Sequence, residues 1–336
     1  MSWQRAWKGV MLAGCAIAAA CAGGGDGDDG SIPEDAPLVI GARLAAGLQS
    51  PGDVEFLHRP FSLDMLGDTI VIADTRNHRI VLLDRDLRFL TSFGREGAGP
   101  GEFDGPTALA VTPGGIVVAE MQNARFTVLD RAGRFVHALG PAPAIHSFGV
   151  ASDGALLVPD ESETHFAQRL TAERGMPFAP RPAGVQPRRL PLLAVTAGDT
   201  VHIFEERSGT LYKFSPGGDT VMSRRLPRTL FDSLDAHRAG VSQQFGGDDL
   251  AAGPLLKAMH VTEGGALLLV LTNGRTVALL VDPVSYRGRR LVVPRTTGEW
   301  EPLPSARDIE LYGDRLFALS GESPWAFVLE RNGAAR

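Results

Sequence analysis

The chain has 336 residues, 44% of them apolar, with 40 glycines and 23 prolines. That much apolar material builds a large core and excludes a disordered chain. Thirty-nine acidic residues against 33 Lys and Arg give a formal charge of −6 without a basic tail, which argues against nucleic acid, a partner held mainly by Lys and Arg on phosphates.

In chain order, "MSWQRAWK" is a short positive segment and "GVMLAGCAIAAACA" an apolar run. The run falls below the ~20 residues that span a bilayer and suits the core of a secretory leader. Both cysteines of the chain, Cys15 and Cys21, lie in it. "LAGC" and "AAAC" each resemble the bacterial lipobox, whose cysteine is diacylated after cleavage. "LAGC" is the closer match, but it leaves an apolar core of only "GVMLAG", under the ~7 residues expected. Cys21 is therefore the expected lipidation site and Cys15 the alternative; an ordinary leader cut after a small residue is the third reading. The resemblance implies a leader over 1–21, export to the cell envelope and, with Ala22 behind the cysteine, an outer-membrane lipoprotein held to the membrane by its lipid alone. Residues 22–35, "AGGGDGDDGSIPED", read as a flexible tether.

The body, 36–336, repeats. "ADTRNHRIVLLDRDLRFLTSFG" (Ala73–Gly94) aligns without gaps to "AEMQNARFTVLDRAGRFVHALG" (Ala119–Gly140), 46 residues further on. Each copy reads as short strands separated by turn residues, and a period near 45 with four strands per unit is the pattern of a propeller blade. Weaker copies open at Phe148, Leu192, Ala258 and Ile309. The last stops after three strands, and "APLVIGARLAAGL" (36–48) is a spare strand at the other end that would close a ring. Between the fourth and fifth copies, about 229–246, Thr229 and Asp232 form a start like a capping box. Phe231, Leu234, Val241 and Phe245 follow at helical spacing and Gly246 ends the run, so a short helical insertion is expected. It is read as a lid over the channel mouth or a helix packed across a blade seam.

"GxGPGEFxxPxxLAV" followed by "VVAExxNxRFxVLD" resembles the NHL repeat. The resemblance is strong over about a third of the chain, and whole bacterial lipoproteins built on such propellers resemble the full sequence. It implies an all-β fold: a six-bladed β-propeller of four-stranded antiparallel blades with one short helical insertion. Some six-bladed relatives are metal-dependent lyases or lactonases.

The glycine-rich stretch Gly94–Val111 is a joint between blades rather than a phosphate loop. A strand, "TALAV", follows it where a helix N-terminus is needed; there is no Gly-Lys-Ser/Thr ending; and Glu96 and Glu102 would repel phosphate. Asp74, Asn77 and Arg79 recur as Glu120, Asn123 and Arg125, and duplication favours a structural turn clamp over a unique site. HExxH, paired CxxC, GxSxG and Walker motifs are absent. Asp64, His146, His260 and Glu310 fall at or in inner strands and are the candidates for a divalent cation, with Asn273 beside them and His202 in the strand outside. No cofactor is otherwise expected. Starts of inner strands carry Arg59, His146, Arg188, Arg189, Lys257 and Arg307, a basic ring that would favour an anionic ligand at one mouth. The expected function is a monomeric, non-enzymatic binding or scaffold module for an envelope protein, peptide or anionic glycan; the alternative is a metal-dependent lyase or lactonase.

Overall fold

In the computed structural model the chain divides into Met1–Ser31 and Ile32–Arg336. The residues described are 38–39, 44–45, 57–142, 145, 147–172, 174–187, 190–206, 208–225, 256–272, 276–286, 288–294, 300–301, 308–313, 315–320 and 323–328, all in the second unit. The helical insertion expected at 229–246 and the leader and tether expected at 1–35 lie outside them.

The described chain is all-β, and a single 3-10 turn, Thr75–Asn77, is the helical element among the described residues. Four sheets follow one another as up-and-down meanders. The first blade has strands Ser62–Leu66, Thr69–Asp74, Arg79–Asp84 and Phe89–Phe93; the second has Pro106–Thr112, Gly115–Glu120, Arg125–Leu129 and Phe135–Leu139. The third has Gly149–Val150, Leu156–Pro159, His165–Leu170 and Gly175–Pro180; the fourth has Leu192–Thr196, Thr200–Glu205, Thr210–Phe214 and Thr220–Arg225. A larger sheet repeats the same order over Leu256–Val261, Leu267–Thr272, Thr276–Val281 and Gly288–Pro294, and adds Trp300–Glu301 and Leu38–Val39 on its last strand. The last sheet has Asp308–Tyr312, Arg315–Ser320 and Ser323–Val328, and takes Leu44–Ala45 as its fourth strand, with Leu44 opposite Phe327. The described residues of 36–48 thus fall in two sheets: Leu38–Val39 runs parallel to Leu291 and Val292, and Leu44–Ala45 joins the last sheet.

Burial explains the sequence of each strand. The second strands, "TIVIAD", "GIVVAE" and "TVHIFE", are buried almost throughout. They lie between two neighbouring sheets, so both faces must be apolar and the usual period-2 alternation is lost. The fourth strands, "FLTSF", "FVHAL" and "TVMSRR", lie at the rim and are half exposed. Register shifts occur where the outer strand meets the third in the first, second and fourth blades, as bulges commonly do at sheet edges. Core clusters bridge successive sheets: Val71 and Ile80 pack with Leu109 and Val118, and Phe166 and Leu157 with Leu193 and Phe214. The last sheet packs on the first through Phe317 and Leu319 against Leu63 and Ile72.

The joint behaves as its residues dictate. Phe103 is fully buried among Val71, Ile80, Leu109 and Ile116, so it fills the seam between the first two blades. The loop folds back to hold it: Phe103 N–H donates to Arg95 O at 2.8 Å, Gly97 N–H to Phe103 O at 3.1 Å, and Gly99 N–H to the Glu102 carboxylate at 2.8 Å. Gly94 has φ +101°, and a Cβ there would lie 2.4 Å from the Phe103 ring. Gly94→Ala combines an unfavourable φ with overpacking. We expect it to cost about 1–3 kcal/mol, read as a lowered denaturation midpoint; an unchanged midpoint would refute the seam-plug account.

Candidate functional site

The two clamps form as hydrogen-bonded units. Asp74 is fully buried and accepts from His58 N–H at 2.7 Å, Asn77 Nδ2 at 2.9 Å and Arg79 Nε at 2.8 Å. Glu120, also fully buried, accepts from Asp104 N–H at 3.0 Å, Asn123 Nδ2 at 2.6 Å, Arg125 Nε at 2.8 Å and the Thr127 hydroxyl. Arg125 then reaches the joint, donating to Ala98 O at 2.6 Å and Glu102 O at 3.0 Å. Both carboxylates are thus turned inward onto turns and joints. The third and fourth blades keep the acid at the same place: Asp160 accepts from Ser162 N–H, and Glu205 from Ser208 N–H at 2.7 Å. Here Asn and Arg are lost. In the third blade Arg181, stacked on Phe166 at 4.3 Å, donates to the Ser162, Asp160 and His165 carbonyls instead. Sequence alignment missed this because the replacement arginine arrives from the outer strand.

The inner strands face a central cavity of about 1640 Å³. Successive inner strands are stitched by side chains to the next. Leu63 N–H donates to Asp308 Oδ2 at 2.8 Å, Leu109 N–H to Ser62 Oγ at 3.3 Å, and Val111 N–H to Asp64 Oδ2 at 2.6 Å. Ser147 Oγ donates to Leu193 O at 3.1 Å.

Four ionisable side chains meet on one side of that cavity. His260, from the larger sheet, places Nε2 2.5 Å from Asp308 Oδ1 and Nδ1 3.2 Å from Glu310 Oε2. Asp64, from the first blade, stands beside them and lines the same wall. Burial opposes a charge on His260, but Asp308 and Glu310 together outweigh it and push the imidazole up to about 10. Burial pushes Glu310 up to about 8 against the pull of His260. Asp64 is also raised by burial, despite its N–H partners at Val111 and Met65. Charged His260 must donate from both nitrogens, and both face carboxylates.

Three of the four residues singled out for a cation, Asp64, His260 and Glu310, are therefore neighbours; His146 lies outside the described residues, as does Asn273. Asp308 was missed, although the alternation in "DIELY" puts it on the same face as Glu310. Among the described residues no group of three or more His, Asp or Glu side chains is arranged to hold a metal ion. His202 is buried in the fourth blade, away from the mouth: Nδ1 meets the Tyr286 hydroxyl at 2.8 Å and Nε2 the Thr196 hydroxyl at 3.2 Å, and burial followed by Lys213 lowers it to about 4. Of the basic ring, Arg59 is the member whose side chain is described; it is exposed and lines the cavity. His146, Arg188, Arg189 and Arg307 lie outside the described residues, and so does the side chain of Lys257.

No family model matches the chain, and no curated protein matches it. Solved structures do. A protein of Bacteroides fragilis described as exported superposes with a TM-score of 0.55 at 13% identity, covering 88% of this chain and 97% of its own. The fold is that of a β-propeller. A catalytically inactive virginiamycin B lyase from Staphylococcus aureus, solved with quinupristin, superposes with a TM-score of 0.54 at 11% identity, over 85% of this chain and 99% of its own. The WD40 repeats of RRP9 superpose with a TM-score of 0.50 at 10% identity, over 87% and 100%. At these identities the propeller is shared and the chemistry is not carried over. No helix among the described residues is long and apolar enough to cross a membrane.

Proposed function

We propose that this chain is an exported, lipid-anchored propeller of six NHL-like blades that acts as a binding module without catalysis, taking a peptide or protein segment in its central cavity. The larger sheet is read as the fifth blade because its four strands from Leu256 to Pro294 keep the meander of the others. The packing of Phe317 and Leu319 on the first blade supports closure of the ring. Cys21 supplies the anchor, 22–35 the tether and the outer membrane the location.

The observation that carries the binding reading is the state of the cavity's ionisable groups. Asp308, His260 and Glu310 are held by one another and by backbone N–H groups. A general base needs a free lone pair, and a catalytic metal needs ligands free to bind it; His260 has given both nitrogens to carboxylates. Capture from the native envelope by the purified protein, with radioactive fatty acid labelling of Cys21→Ala and Cys15→Ala, tests the proposal. A saturable partner is expected, with label lost only in Cys21→Ala. Stoichiometric zinc or calcium in the purified protein would replace binding with the lyase or lactonase reading.

A further inference from the structure

The second, third and fourth blades give the cavity an apolar stretch, Leu109, Val111, Phe148, Val150, Leu193 and Val195, and beside it the carboxylates Asp153, Glu161, Asp199, Glu205 and Glu206. The opposite wall, from the first blade and the last two sheets, carries Asp64, His260, Asp308 and Glu310. That is three carboxyl groups to one imidazole, so His260 offsets at most one of them. Asp308 accepts from Leu63 N–H, Ile309 N–H and His260. Asp64 accepts from Val111 and Met65 N–H, and Glu310, which faces His260 Nδ1, keeps a proton that an incoming cation would displace to solvent. The rest of the described lining has the same sign, with five further carboxylates against Arg59 and Arg181, and Arg181 already donates to backbone carbonyls.

Resting on the binding reading above, we propose that the cavity takes an amphipathic ligand with one positively charged nitrogen, an ammonium or guanidinium. The charged end lies against Glu310 and Asp64, and the apolar body lies on the wall of the second to fourth blades. Pockets of this kind gain affinity from apolar contact and orientation from a few polar groups. In a partly desolvated channel, a cation beside these carboxyls gains far more Coulomb energy than it would in water, and an anion would be repelled by the same groups. This is the reverse of the ligand that the basic ring would select.

Phenylbutylamine, phenylbutanol and phenylbutyrate test the charge on one apolar body, titrated calorimetrically into the purified mature protein. The amine is expected to bind at least about tenfold tighter than the alcohol, and the carboxylate most weakly. Glu310→Gln should abolish that margin; if this variant fails to fold, Asp64→Asn provides the same readout. Equal affinity of amine and alcohol would overturn the charge assignment and leave the binding reading standing. The carboxylate binding tightest would also overturn it, in favour of the ring. Failure of all three to bind the folded protein would overturn both.

Discussion

Asp308→Ala is expected to destabilise the whole domain by about 3–5 kcal/mol, because it breaks a buried ion pair by removing one partner. Asp308 is 3% exposed. Its two oxygens take Leu63 N–H at 2.8 Å across the seam to the first blade, Ile309 N–H at 3.0 Å in its own strand, and His260 Nε2 at 2.5 Å from the larger sheet. Three sheets converge on one carboxylate. Alanine leaves Leu63 N–H and His260 without their acceptor in a place that water reaches poorly, so the desolvation of each goes uncompensated. Asp308→Asn keeps an acceptor oxygen for Leu63 N–H but gives up the negative charge facing His260, and should fall between alanine and the parent. The denaturant midpoint at unchanged m-value is the measurement. A loss below about 1 kcal/mol for the alanine variant would mean that Asp308 is not the junction of these sheets.

Much of this architecture was legible because repetition exposes structure. The gapless match between Ala73–Gly94 and Ala119–Gly140 locates strands, clamps and joint together, and the duplicated Asp/Glu, Asn and Arg side chains do point into turns. The glycine-rich stretch was legible from the apolar strand behind it, because a strand offers no helix dipole to an anion. The central site was only partly legible. Asp64, His260 and Glu310 were placed on inner strands by strand order alone, but nothing in a linear pattern says that residues 64, 260 and 310 share one level of a channel. That depends on the stagger between sheets, which the cross-strand bonds from Leu63 to Asp308 and from Val111 to Asp64 fix. Asp308 escaped notice because it opens its strand, where an aspartate also reads as a turn residue. That Leu38–Val39 and Leu44–Ala45 join different sheets had no sequence signal, since both are short apolar segments with equal claim to either edge.

Stability should fall as pH rises from about 5 to 10, with the two limbs of the fall traceable to single residues. Glu310 ordinarily titrates at 4.5 and is raised to about 8 in the fold, chiefly by burial. The native state therefore holds its proton more tightly than the unfolded chain. That contribution is fully present below pH 4.5 and is lost as pH climbs through 8. Asp64, raised by burial as well, acts with the same sign. His260 ordinarily titrates at 6.5 and is raised to about 10: burial resists its charge, but Asp308 and Glu310 prevail. Its contribution is present below 6.5 and is lost as pH passes 10. Below pH 4 the balance reverses. Asp86, Asp130 and Asp153 are held low by hydrogen bonds and arginine partners, and Asp282, though burial opposes it, by its bonds from Ser285 and Val284; protonating them removes stability. A stability maximum on the acid side of neutral is the result. Glu310→Gln isolates one limb. The amide oxygen still accepts from His260 Nδ1 but has no proton to lose, so the fall between pH 5 and 8 should become shallower, leaving the part due to Asp64 and the start of the His260 limb. The His260 limb remains, and it ends at a lower pH because one of the two negative neighbours is gone. Urea midpoints taken at unit pH steps decide it: parent and Glu310→Gln curves that fall in parallel from pH 5 to 8 would show that Glu310 does not hold a proton in the fold.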